Sequence, residues 1–194
     1  ALAWTPTCPK DGAYEALVQP TAPSDRLTVC ALSLLRLFSA AQQRLWICSP
    51  YFVPDDAIAA SLKLAALRGV DVRIMLPQKP DHLLVYLASF SYLTEMIEAG
   101  VTFYRYQSGF VHQKVLLVDD EVATVGTVNL DNRSVYLDFE LTLLVPSRDF
   151  AKKVGAMLEQ DFAACRRISA QDYAARPILF KTAVVLARLL DPVL

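Results

Sequence analysis

The sequence predicts an α/β fold built on a mixed, mostly parallel β-sheet flanked by helices on both faces. Three observations carry this. Short apolar runs of strand length alternate with stretches of helical length along the first two thirds of the chain. Two of the helical stretches begin on an aspartate suited to an N-cap and stop on a glycine suited to the turn that follows. That alternation calls for βαβ crossovers, which place strands side by side in parallel with helices across them.

Taken in order, residues 1–25 contain Pro6, Pro9, Pro20 and Pro23 with little periodicity, and predict a loop-rich N-terminal segment. "DRLTVCALSLLRLFSAAQQ" has helical length, and "RLWICSP" is a short apolar run ended by Pro50, as in a buried strand. "DDAIAASLKLAALRG" is a helix from the cap Asp55 to Gly69, and "VDVRIMLP" a strand. "DHLLVYLASFSYLTEMIEAG" repeats the Asp81-start, Gly100-stop punctuation, and "VTFYRYQ" is a further strand. "FVHQKVLLVDD" and "EVATVGTVN" lie back to back around Asp119, Asp120 and Glu121, as in a hairpin. "FELTLLVP" adds a strand and "RDFAKKVGAMLEQDFAACR" a helix behind it. One α/β domain over 26–165 fits this pattern, followed by a C-terminal amphipathic tail at 166–194.

Composition narrows the classes. The 194 residues are 54% hydrophobic and 20% charged, enough for a substantial core and unlike a disordered chain. Nineteen basic residues against 20 acidic leave a net charge of −1, which argues against a protein whose main task is to grip nucleic acid. Cys8, Cys30, Cys48 and Cys165 are scattered, with only two histidines to assist, so neither a zinc site nor a disulfide framework is expected. Free buried thiols suit a reducing compartment. The longest apolar run carries Arg36 at its middle and is too short to span a bilayer. A chain that begins at Ala1 reads as a piece of something longer, or as a processed product.

The chemistry gathers in "VHQKVLLVDDEVATVGTVNLDNRS", residues 111–134. Side chains two apart on a strand share a face, so His112 and Lys114 are expected to project together and Gln113 away from them. An imidazole and an ammonium inside an apolar strand are costly unless they line a cavity with partners. The hairpin returns Gly126, Thr127 and Asn129 toward the same end, with Gly126 leaving room for close backbone approach. Cleaving a phosphodiester needs a nucleophile, a fixed cation and neutral donors for the non-bridging oxygens. A carboxylate is also needed to hold the imidazole, and Glu140 on the next strand is placed for it.

His112-x-Lys114, four residues to Asp119, then six to Gly126-Thr127-x-Asn129 resembles the HKD motif of the phospholipase D superfamily. "SPYFVPDDA", "LRGVDVRIMLP", "PDHLLVYLASFSYL", "GFVHQKVLLVDD" and "GTVNLDNRS" resemble the C-terminal half of bacterial cardiolipin synthases, over about residues 25–194. The resemblance implies a phospholipase D-like half-domain and transfer of a phosphatidyl group between phosphatidylglycerol molecules, with glycerol released. It further implies a phosphohistidine intermediate and no cofactor or metal. His112 is then nucleophile or general acid, Lys114 and Asn129 bind phosphoryl oxygens, and Thr127 stands in the substrate pocket where many members have Ser. Glu140 would hydrogen-bond His112, and Asp119 would brace the hairpin. Members carry two such motifs, whereas the other histidine here, His82, is followed at the lysine position by Leu84. The chain therefore holds half a site, completed by an N-terminal HKD half or by a second copy. A single-motif phosphodiesterase, phospholipase D or nuclease, acting as a homodimer is the alternative.

Other polar residues have plainer readings. Asp55 and Asp56 cap a helix, His82 is a surface residue of a first turn, and Asp131 and Arg133 pair locally. Tyr51, Phe52, Tyr86, Phe90 and Tyr92 are read as core rather than as an acyl-chain groove. Asp119 is read equally as framework or as a turn residue. "PILFKTAVVLARLLDPVL" spans about 20 Å as a helix from Ile178 to Leu190, with Lys181 and Arg188 on one face. An interfacial helix on anionic lipid and a helix docked on the missing half explain it equally. The expected partners are phosphatidylglycerol, a membrane surface and the completing half, with no nucleic acid. The expected location is the bacterial cytoplasmic membrane, held peripherally.

Overall fold

The computed structural model describes residues 12–194. In chain order these form β1 (Leu17–Thr21), α1 (Val29–Ala40), β2 (Arg44–Cys48), β3 (Phe52–Val53), α2 (Asp56–Leu67), β4 (Asp71–Pro77), α3 (Leu83–Glu98) and β5 (Thr102–Tyr106). There follow β6 (Val115–Val118), β7 (Val122–Gly126), β8 (Leu130–Asp131), α4 (Asn132–Tyr136), β9 (Glu140–Val145), α5 (Arg148–Ala163), β10 (Cys165–Ile168), α6 (Ala170–Ala174) and α7 (Ile178–Arg188). A 3₁₀ turn, Asp191–Val193, ends the chain.

An eight-stranded sheet runs β1-β9-β7-β6-β2-β4-β5-β10, and β3 pairs with β8 beside it. The α2 and α3 crossovers return the chain in the same direction, so β2, β4 and β5 are parallel. The parallel share is smaller than the sequence pattern predicts. The tight β6–β7 hairpin can only be antiparallel, and β6 against β2, β9, β1 and β10 add four more antiparallel pairings. The β1 strand falls inside the segment predicted as loop. It lies on the sheet edge, where Pro20 removes no hydrogen bond that an inner strand would need. The rest of that segment, through residue 11, lies outside the described residues. Past residue 165, β10 extends the sheet and α7 packs against α3.

Alternation within the strands builds two cores. Ile47, Ile74 and Phe103 face α1, α2 and α3, where Phe38, Leu62 and Met96 are fully buried. Trp46, Met75 and Leu117 face α5, against Leu158 and Phe162. Asp55 caps α2, its carboxylate accepting from Ile58 N at 2.6 Å, and Gly69 and Gly100 close α2 and α3 at φ +91° and +102°. Asp81 is not the cap of α3. His82 holds that position without a side-chain bond, because the Asp81 carboxylate is engaged by Tyr51 and by the His82 amide.

On its second face the sheet outruns α5. Val125 pairs with Leu143, which pairs with Val18, and all three lie exposed together with Leu141. This bare apolar face adjoins the end of the sheet that carries His112.

Candidate functional site

The β6 ladder begins only at Val115, so His112, Gln113 and Lys114 form an extended lead-in at the C-terminal end of the parallel strands. Gln113 is pinned by its amide donating to Asp161 of α5 at 2.8 Å. The lead-in is tied to β7 by the Gly126 amide, which donates to the Lys114 carbonyl at 3.2 Å. Ladder and anchor together hold the two motif side chains at the sheet's open end. His112, Gln113 and Lys114 line one groove of about 420 Å³ between α5 and the β6–β7 hairpin. Lys114 also roofs a cavity of about 50 Å³ on the α1 side.

The His112 imidazole is exposed and clasped by aromatics. Phe110 stacks on it with 5.4 Å between centroids, and Tyr51 meets it edge-on at 6.2 Å. Tyr51 is therefore not core. Its hydroxyl donates to Asp81 at 2.6 Å, and its ring also meets His82 edge-on at 5.7 Å. Burial and the neighbouring Asp81 carboxylate hold the Tyr51 hydroxyl above its usual pKa, so it stays a donor. His82 is exposed, as its sequence position suggests, although it sits one ring away from His112.

The Lys114 ammonium donates to the His112 carbonyl at 2.9 Å. Burial lowers its pKa, against the opposing pull of Glu140, Asp81 and Asp131. A cation in that setting is under-compensated, which suits a group that awaits an anion.

Glu140 does not bond the imidazole here. Its carboxylate accepts the Thr127 hydroxyl, and Thr127 Oγ1 in turn accepts from Leu141 N at 2.9 Å. Thr127 thus clamps the start of β9 to the end of β7. Gly126 permits this closeness, since a Cβ there would lie 2.9 Å from Thr142 Cα and nearer still to the Leu141 carbonyl oxygen. Asn129 Nδ2 donates to Ser134 Oγ at 2.9 Å, while Asn129 Oδ1 is buried with no partner.

Asp119 is elsewhere. It sits at the far end of β6 at φ +52°, and its carboxylate accepts from the backbone amides of Gln42, Gln43 and Arg44. It braces the hairpin against β2, the framework part expected of it, and makes no hydrogen bond to His112 or Lys114. Asp131 and Arg133 do not pair with each other. Asp131 caps α4 through Ser134 N, and its pKa is raised by burial, whereas Arg133 pairs with Asp138 at 3.1 Å. Phe110 carries no signal in the pattern, and Tyr51 and Asp81 read as core and as a helix cap, because only the fold brings their separate loops to His112.

Among the described residues, no group of three or more His, Cys, Asp or Glu side chains is gathered to hold a metal ion. Cys30 and Cys48 are buried free thiols whose pKa values burial pushes to about 11 and about 12, so both are poor nucleophiles.

The chain is 49% identical to cardiolipin synthase A of Pseudomonas entomophila over 189 residues, which are 97% of this chain and 39% of that protein. It is 48% identical to cardiolipin synthase A of Pseudomonas putida strain W619, over 90% of this chain and 36% of that protein. The chain thus spans under two fifths of these relatives. In fold it is similar to Nuc of Salmonella typhimurium, a phospholipase D family member, with a TM-score of 0.67 at 18% identity over 80% of this chain and all of that one. It is similar also to phosphatidylserine synthase of Haemophilus influenzae, with a TM-score of 0.75 at 16% identity over all of this chain and 51% of that one. Residues 34–162 match the model of the family described as cardiolipin synthase, PLD-like domain, and the chain belongs to that family.

Proposed function

We propose that this chain is one catalytic half of a phosphatidyl transferase that makes cardiolipin from two phosphatidylglycerol molecules at the bacterial cytoplasmic membrane. The observation that supports the reading is the open sheet end, where His112 and Lys114 line one groove and the Lys114 ammonium donates to the His112 carbonyl. One histidine attacks phosphorus, and the bond to the glycerol oxygen breaks. The other histidine protonates that oxygen, and glycerol leaves. A hydroxyl of a second phosphatidylglycerol then gives its proton to that base and attacks the phosphohistidine, so the phosphorus–nitrogen bond breaks and both histidines are restored. His112 takes one of these two roles and the completing half supplies the other. Lys114 and Asn129 hold the phosphoryl oxygens, where charge builds in the transition state.

The bare apolar face of Val18, Val125, Leu141 and Leu143 beside the site supports a completing half docked there. The test is to co-express this chain with the N-terminal portion of the Pseudomonas entomophila relative and supply labelled phosphatidylglycerol. Cardiolipin and glycerol should form in equal amounts, and His112→Ala should abolish both. Turnover at the unmutated rate in that variant would overturn the role of His112.

A second reading, a homodimeric single-motif phosphodiesterase, is favoured by one observation: this fold accounts for all of the Nuc chain. It predicts phosphodiester cleavage by the purified chain alone, at a rate that follows dimer concentration.

A further inference from the structure

The helix α7 is apolar on two opposite sides. At 100° per residue, Phe180, Val184 and Ala187 form the side packed on the protein, with Val184 and Ala187 buried. The opposite side carries Ile178, Leu179, Val185, Leu186 and Leu189, every one of them well exposed, from 60% at Leu186 to 84% at Ile178. A solvated surface helix keeps polar residues on its outer side, and a helix apolar all round is a covered helix. Apart from the exposed Thr182, α7 thus carries apolar side chains on both its packed and its outer side, with Lys181 and Arg188 on the flank between them.

Charge indicates the cover. Residues 176–190 hold Arg176, Lys181 and Arg188 and no acid. Lys181 and Arg188 are seven apart, on the flank between the packed side and the bare side. The Lys181 ammonium donates to the Ala174 carbonyl at 2.7 Å and the Arg188 guanidinium lies over the Tyr92 ring at 5.6 Å, so their positive charge borders the bare side, where such side chains can reach the headgroup level of a lipid layer. With 11 residues α7 is too short to cross a bilayer, and none of the described helices is long and apolar enough to do so. Lying in the interface plane is the arrangement that uses both the exposed aliphatics and the flanking cations.

We propose that the outer face of α7 is a docking surface for an anionic phospholipid layer, which presents the half-site to lipid. This rests on the reading that the substrate is a phospholipid.

The test is partition of the 194-residue chain onto phosphatidylcholine vesicles with and without phosphatidylglycerol, measured by co-flotation. The chain should bind the anionic vesicles. Leu179→Ser with Leu186→Ser and Leu189→Ser should lower partition roughly a hundredfold or more, with an unchanged far-ultraviolet dichroism spectrum. Lys181→Gln with Arg188→Gln should lower it roughly twentyfold on anionic vesicles only, and less at high salt. Equal partition of the triple serine variant and the parent would overturn the proposal. So would failure of the parent to bind anionic vesicles. Loss of self-association or of binding to the N-terminal half in the serine variant, with vesicle partition intact, would assign the face to protein and also overturn it. Failure of the transfer reaction is read separately. A short-chain, monomeric phosphatidylglycerol tests the chemistry without a membrane, and the serine variant complemented with the N-terminal half should process it like the complemented parent.

Discussion

The Tyr51 ring stands edge-on to the His112 imidazole, at 80° and 6.2 Å between centroids, with its hydroxyl anchored on Asp81. With Phe110 stacked on the ring face, two aromatics flank the imidazole. That contact predicts a positioning role for Tyr51 in the proposed transfer. In the complemented enzyme, Tyr51→Ala should cut kcat roughly ten- to a hundredfold with little change in KM, as expected when a reacting group loses its aim. Tyr51→Phe keeps the ring and should recover most of that loss. If the alanine variant lost stability but kept kcat in its folded fraction, the positioning role would be wrong.

Asp119 should separate framework from chemistry. Its carboxylate satisfies three backbone amides at the start of β2, roughly 20 Å along the strand from His112. Asp119→Ala leaves those donors to water and should cost about 2 kcal/mol in urea unfolding. Asp119→Asn, which keeps an acceptor and tolerates the left-handed backbone, should cost less. The folded protein of either variant should keep kcat within a few-fold. A loss of turnover without loss of stability would return Asp119 to the active site.

Much of this was legible in the residues and some was not. Asp55 and Gly69 marked α2 because a cap and a left-handed stop are local chemistry, readable without the fold. Asp81 looked the same and was not a cap, because Tyr51, thirty residues away, takes its carboxylate. The motif spacing matched the β6–β7 hairpin, whose register pairs Val115 with Val125 and so brings Gly126 beside Lys114. Glu140 was placed on the right strand end, but Thr127 claims it, a competition visible only once β7 and β9 are paired. The parallel content was overestimated because β1 and β10 join the sheet by long-range antiparallel pairing, which no local period reports.

The bare sheet face should be where completion occurs. Leu143 sits at its centre, paired with Val125 on one side and Val18 on the other. Leu143→Asp puts a charge on a solvent-exposed site, so the isolated chain should keep its stability within about 0.5 kcal/mol. A carboxylate buried in an apolar interface is expensive, so association with the N-terminal half should weaken at least tenfold. Pull-down of that half by the two forms of the chain measures this. Unchanged association would place the interface elsewhere.

Lys114 should trade stability for function. Burial disfavours its charge more than Glu140, Asp81 and Asp131 favour it, so its native pKa lies below the ordinary 10.5. The penalty for burying the charge is fully present at pH values below the native pKa, where folded and unfolded chains both hold the proton. Between the native pKa and 10.5 the unfolded chain holds more proton than the native one, so stability rises with pH through that window. Lys114→Met removes the charge and keeps the stem. At pH 7 its urea midpoint should equal or slightly exceed that of the parent, the gain being small because solvent screens the amine. The difference between the two should close as the pH climbs through the window. In the complemented enzyme the same substitution should abolish transfer, since no cation then faces the phosphoryl oxygens. A variant clearly less stable than the parent at pH 7 would mean that Lys114 is held chiefly as a structural donor to the His112 carbonyl.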